Sequence, residues 1–273
     1  MFTINPFAEL LCCSGATAMQ LYIVIMVLAV IAGTLLDMAH KDSATFFFAE
    51  ARKSRNAGRP VNRAAIAVKT VVVDVLASGE FCNPRRRVAH LLTMYGFVLY
   101  VVTTAIMVFA LDRGPTPDAV PLLWWLGGLM VLVGGGWIWF FIRVDVAAEG
   151  RSPWRLMRAD LFIVSLLASV ALGLAWAWLE VRGMRAATVL FALYIVATTV
   201  LFGGVYWSKF AHMFFKPAAA LQKRIAEANG TNANLPLQSR DDPAQRERHS
   251  MELLRDAPMD MGLGIKREAP RHY

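Results

Sequence analysis

Along the chain, apolar residues gather into five long runs separated by polar segments: 19–38 ("MQLYIVIMVLAVIAGTLLDM"), 88–111, 121–142, 160–179 and 187–208. Each is long enough for a helix to cross a bilayer core, which takes roughly 20 residues. The pattern predicts an all-α integral membrane bundle of five transmembrane helices. Between the first two runs, residues 44–83 mix apolar and basic positions around Gly58-Arg59-Pro60. That mixture predicts two short amphipathic helices on the inner surface, with Arg and Lys turned toward lipid headgroups or a partner. From residue 217, "PAAALQKRIAEANG" predicts a further interfacial helix. The remaining tail is polar, punctuated by Pro and Gly, and too poor in apolar residues to build a core, so it is expected to stay disordered until a partner orders it. The organisation is thus an outer N-terminal segment 1–18, a membrane domain 19–215 with loop 39–87, and a helix and tail 216–273.

Composition agrees with this class. Hydrophobic residues make up 57% of the chain and mean hydropathy is +0.46, which excludes an ordinary soluble domain. No Lys or Arg precedes the first run, and it exceeds a signal-peptide core in length, so it reads as a retained span. The three cysteines, Cys12, Cys13 and Cys82, form neither a disulfide framework nor a zinc pattern. An iron–sulfur cluster held by this chain alone is not expected.

The net charge of +8 sorts by loop instead of forming a nucleic-acid patch. Residues 1–18 carry no Lys or Arg, loop 39–87 carries ten, and turn 112–120 carries Arg113 alone. Loop 143–159 carries four, turn 180–186 two, and the chain from Lys209 onward eleven. By the positive-inside rule this alternation predicts an N-terminus outside and a C-terminus in the cytoplasm. The eight tryptophans fall mostly near span ends and are expected to form interface belts.

Span centres hold almost no charge. Asp37, Asp112, Arg143 and Glu180 lie at ends, where they are expected to reach water, which weighs against an ion-coupled transporter. Histidine occurs instead at two inner ends: His90 in "RRRVAHLLTMYGF" and His212 in "SKFAHMFFKP". His90 lies one turn inside Arg87, and His212 sits between Lys209 and Lys216, so both belong to one interface level. Two imidazoles facing each other at one level are what bis-histidine ligation of haem b requires. Arg85, Arg86, Arg87, Lys209 and Lys216 would then hold the propionates or dock a partner. The alternative is that each histidine bonds a headgroup or a backbone carbonyl, and Met94 is a minor alternative ligand. Gly134-Gly135-Gly136 permits close helix approach, for which packing is the commoner reason.

The five-span layout, "RRRVAHLLTMYGF" and "SKFAHMFFKP" resemble the nitrate-reductase gamma-subunit family of cytochromes b. Within that group the chain is most similar to the membrane anchors associated with adenylylsulfate reductase, over residues 15–225. The family holds two stacked haems between its second and fifth spans. Carried onto this sequence, the inner pair of ligands falls on His90 and His212, and the outer pair on Tyr100 and Tyr194. The resemblance therefore implies one haem b or none, with the tyrosines filling the vacated space and bonding through their hydroxyls. It further implies a bacterial inner-membrane subunit, itself non-catalytic, that docks a cytoplasmic oxidoreductase and links it to the quinone pool. Adenylylsulfate reductase is the expected partner. A purely structural anchor without a redox group stays open beside this reading.

Overall fold

The computed structural model describes residues 2–8, 15–40, 47–49, 51–52, 59–79, 81, 83–110, 116–147, 149–208, 210 and 212–231. Every element among the described residues is helical. Five helices are long and apolar enough to cross a membrane, which makes this a multi-pass helical membrane protein. They are α1 (Gly15–His40), α3 (Pro84–Ala105), α4 (Ala119–Trp137), α5 (Leu161–Glu180) and α6 (Ala186–Gly203). Two further helices, α2 (Arg63–Thr70) and α7 (His212–Asn229), lie beyond the spans. The helices α2, α3 and α4 each widen at their C-terminal ends into π-turns, at 71–76, 106–110 and 138–142. The other helix expected within 44–83, and the tail beyond 231, lie largely outside the described residues.

Two corrections to the sequence expectation matter for the site. The fifth span stops at Gly203, not at 208, and the chain turns through Val205–Trp207 before restarting as α7. His212 therefore opens α7 instead of closing the span. Asp37 and Arg143 are also not held out to water. Asp37 is 2% exposed, and Arg143 makes a 2.6 Å ion pair with Asp160 in which both side chains are about nine-tenths covered.

Lipid gives helices no hydrophobic reason to associate, so close van der Waals contact and a few polar bonds must do so. The tightest seam joins α3 to α4 through glycines. A Cβ on Gly96 would come within 2.8 Å of the Gly127 carbonyl, and one on Gly134 within 2.6 Å of the Ala89 carbonyl. Of the Gly134-Gly135-Gly136 run, Gly134 thus meets α3, Gly135 meets Leu167 of α5, and Gly136 faces open space. Polar bonds join the other neighbours. Ser169 and Thr198 hydroxyls link α5 to α6 at 2.7 Å. The Tyr22 hydroxyl links α1 to α6 at the Ile195 carbonyl, and Trp124 Nε1 donates to Thr104 between α4 and α3. The Gln20 side chain donates to the Val108 carbonyl and ties α1 to the end of the second span, closing the cycle of helices.

This seam yields a prediction. Gly96→Leu forces a branched side chain into the Gly127 backbone and should destabilise the bundle by about 1–3 kcal/mol, read as earlier unfolding in a detergent titration. Gly136→Ala meets nothing within 4 Å and should unfold like the native chain. Equal stability of the Gly96 variant would mean that the two backbones are not in contact.

Candidate functional site

The second span begins where Asn83 accepts hydrogen bonds from the Arg85 and Arg86 amides, with Pro84 in the first turn. This cap sets the level of everything that follows on α3. His90 comes less than two turns later, and its Nδ1 makes a 3.0 Å hydrogen bond with the Ser78 hydroxyl. Ser78 is 1% exposed and holds φ 47°, a left-handed conformation uncommon for any residue but glycine. The turn that carries Ser78 is itself fixed from α3: Arg87 Nε donates to the Ala77 carbonyl at 2.7 Å. Phe81 closes over the imidazole at 4.9 Å between ring centroids, and the Lys216 ammonium lies over Phe81 at 5.4 Å.

These contacts bring His90, Ser78, Phe81 and Lys216 together at one end of the bundle. Of the remaining expected residues, Arg86 donates to the Ile142 carbonyl and so caps the end of the third span. Arg85 is exposed. Lys209 lies outside the described residues, and for His212 only the backbone position at the start of α7 is described. Beneath His90, Phe97 on α3 packs with Phe202 of α6 and with Phe210, at 6.3 and 6.4 Å. The face of α3 that carries His90 and Phe97, seven residues apart, is thus turned toward the fifth span.

The other end of the bundle is built differently. Tyr100 stacks on Trp124 at 4.9 Å, and Tyr194 lies parallel to Trp176 at 5.9 Å. Phe7, fully buried, enters between the two indoles at 6.1 and 5.2 Å. Both phenols converge on Gly173, where a Cβ would strike the Tyr100 hydroxyl and come within 3.0 Å of the Tyr194 ring. Both phenols are buried side by side, and the Tyr100 oxygen meets no partner with full hydrogen-bond geometry among the described residues. Trp124, Trp139 and Trp176 are core residues, which corrects the expectation of interface belts for those three; Trp137, Trp154, Trp178 and Trp207 are exposed.

Sequence reasoning missed Ser78, Phe81 and Phe7. It also missed the ion pair between Asp74, in the turn after α2, and Arg224 on α7. Arg224 grips both carboxylate oxygens, at 2.7 and 2.8 Å. The turn formers in "SGEFCNP" and "INPF" are the signals that would have pointed to the loop beside His90 and to the bend in which Asn5 accepts from the Phe7 amide.

The fold and site define a multi-pass helical membrane protein with a histidine-centred cluster at its Arg-rich end and a packed aromatic ring at the other. No family model matches this chain, and no solved structure matches it. It is 30% identical over 167 residues to citrate utilization protein B of Escherichia coli, a stretch covering 58% of this chain and 42% of that protein. The chain thus spans less than half the length of that relative.

The Asp74–Arg224 pair carries a pH prediction. Hydrogen bonding from Arg224 holds the Asp74 carboxyl below its ordinary value of 3.8. A depressed carboxyl stabilises the fold above its unfolded pKa, and that contribution is lost as pH falls through the folded value. The docking of α7 on α2 should therefore be unchanged from neutral pH down to about 4 and should loosen below that. A disulfide or cross-linker trap between the two helices reads the change. Asp74→Asn should remove this acid step and weaken the trap at neutral pH.

Proposed function

We propose that this chain is the membrane anchor of a cytoplasmic oxidoreductase and passes its electrons toward the quinone pool through one haem b at the Arg-rich end. The observation that carries the reading is the Ser78–His90 hydrogen bond on the face of α3 turned toward the fifth span. Metal-bound imidazoles use their second nitrogen in this way, to fix tautomer and ring orientation. In the tautomer whose Nδ1–H donates to Ser78, Nε2 carries the lone pair that a ligand needs.

On the Arg-rich side the chemistry of His90 fits the group, and on the other side the residues do not. His90 would hold the iron from α3, with His212 as the partner ligand from the start of α7. Arg85 and Lys216, both exposed, would face the propionates, while Arg86 and Arg87 hold carbonyls. Bound there, a haem b would supply reversible one-electron chemistry at the level where a soluble partner meets the membrane. The chain's own residues orient the imidazole through Ser78, and Phe81 packs against it. In the outer half, Tyr100, Trp124, Phe7, Trp176 and Tyr194 occupy the space a second haem would need. No route through that half is drawn.

The distribution of Lys and Arg supports an N-terminus in the periplasm and a C-terminus in the cytoplasm of a bacterial inner membrane. The resemblance to nitrate-reductase gamma subunits and their relatives supports a partner like adenylylsulfate reductase, which oxidises sulfite with AMP. What the name of the Escherichia coli relative says of citrate belongs to that protein. A bare anchor without haem is the second reading, favoured by the phenylalanines that already fill the region between α3 and α6.

A visible spectrum separates the two. Protein purified gently from membranes should show reduced-minus-oxidised bands of a b-type haem. His90→Ala and His212→Ala should each abolish them while the chain still inserts, and Tyr100→Phe should leave them intact. A native protein with no such bands decides for the bare anchor.

Docking gives a second test. The tail 230–273 holds seven of the chain's basic residues (Arg240, Arg246, Arg248, Arg255, Lys266, Arg267 and Arg271), and exposed ion pairs of this kind contribute about 0.2–1 kcal/mol each and weaken with salt. Deleting the tail should release the soluble enzyme from membranes and leave the five spans inserted. Retention of the enzyme with unchanged salt sensitivity would move the dock to loop 39–87.

A further inference from the structure

The helical segment 63–76 presents two unlike faces. On one, Asp74 is pinned to Arg224 of α7 and Thr70 is buried. On the other, Val68, Val71, Val72 and Leu76 recur at helical spacing, and each is about half exposed or more. A soluble loop would leave those branched side chains in water with no compensating contact.

The end of this segment lies between the Arg87 and Tyr95 levels of the second span, since Arg87 Nε reaches the Ala77 carbonyl from one side. The Leu76 carbonyl accepts a 2.6 Å hydrogen bond from the Tyr95 hydroxyl. Tyr95 is eight residues past Arg87 on the same helix, about 12 Å deeper at the α-helical rise. A phenol side chain does not climb back that far. Tyr95 is itself exposed on the lipid-facing side of α3, continuous with Val88, Val98 and Val102.

The carbonyls at the end of the segment are closed in a way that water contact would not require. The Val72 and Val73 carbonyls accept from the Ala77 and Gly79 amides at 3.0 and 2.7 Å. Arg87 covers the Ala77 carbonyl, and Tyr95 covers that of Leu76. A helix end leaves its last carbonyls unsatisfied, and in hydrocarbon each such group costs several kcal/mol. Here two side chains of the adjoining span satisfy them. Arg63 and Lys69, both exposed, flank the apolar face and are long enough to reach the headgroups.

We propose that the Val68, Val71, Val72 and Leu76 face is seated among the acyl chains of the leaflet at the Arg-rich end, and that this segment is a half-immersed element instead of a loop lying above the membrane. Its opposite face, through Asp74 and Arg224, holds α7 down on the bilayer. The lipid surface thereby sets where the C-terminal tail begins. The inference rests on the fold alone and does not depend on a haem.

The test uses the full chain with Cys12, Cys13 and Cys82 changed to serine. A single cysteine is placed at Val72, labelled with a polarity-sensitive nitrobenzoxadiazole dye, and reconstituted in phosphatidylcholine–phosphatidylglycerol vesicles. The dye should emit as in an apolar medium, be quenched by acyl-chain-brominated lipid, and be protected from aqueous iodide. Val68→Cys is the second reporter should Val72→Cys fail to insert. Lys223→Cys on the exposed side of α7 should give the aqueous response, and Val98→Cys on α3 the lipid response. Aqueous emission and iodide quenching at both 68 and 72, with a normal response at 98, would overturn the proposal. So would shielding that arises only when a soluble protein partner is added, since the face would then be a protein dock.

Discussion

The backbone-to-backbone contact of α3 with α4 is the constraint on which the remaining geometry hangs. Gly96, Gly127 and Gly134 let the two main chains approach to a distance that any side chain would prevent. Because that contact fixes the rotation of α3 about its axis, it also decides which residues face the fifth span. His90 and Phe97 are turned there at one end. Further along, Tyr100 is laid on Trp124 and brought to Gly173 on α5. The Arg86 bond to the Ile142 carbonyl then fixes the two helices along their length. Rotation and register are both set before any polar group of the site is considered.

With the helices so placed, the halves of the bundle are closed by different means. Large rings close the half away from the Arg-rich end by mutual stacking, and Phe7 from the N-terminal segment completes the set. That arrangement leaves little for chemistry, because each ring is already engaged on its faces or edges. The Arg-rich half combines a phenylalanine cluster with an imidazole, a strained serine and a nearby cation. Strain at Ser78 persists only because the Arg87 and His90 contacts over-determine the turn.

The spans were legible because their signal is summed over some twenty residues of hydropathy, and lipid requires that sum. Facing was not legible. Runs that are apolar all round carry no stripe, so nothing in the sequence told that Trp124 and Trp176 turn inward while Trp178 turns out. The end of the fifth span was misplaced for a related reason. The residues "VYW" after Gly203 are as apolar as those before it, and the break comes from the chain's turn at Gly204, not from a change in hydropathy. His90 could be singled out from its depth alone. Ser78 could not, because its role depends on a left-handed backbone and on a loop folding back against a helix twelve residues later.

The same limit applies to charge. Counting Lys and Arg treats each as an exposed cation, yet several near the Arg-rich end are already committed. Arg86 and Arg87 hold carbonyls, Arg143 binds Asp160 and stacks over Trp139 at 3.9 Å, and Arg224 binds Asp74. These bonds follow from where helices end. Carbonyls left open at the close of the third span, and a carboxylate at the start of the fourth, both attract guanidinium groups through the helix dipole and unmet acceptors. Arginines gathered at one end of the bundle therefore also seal the helix ends by their geometry. Other cations stay exposed, among them Arg52, Arg59, Arg63, Lys69, Arg85 and Arg158. Arg63 and Lys69 belong to the same short helix as the apolar Val68 face, so charge and apolar surface meet on one element.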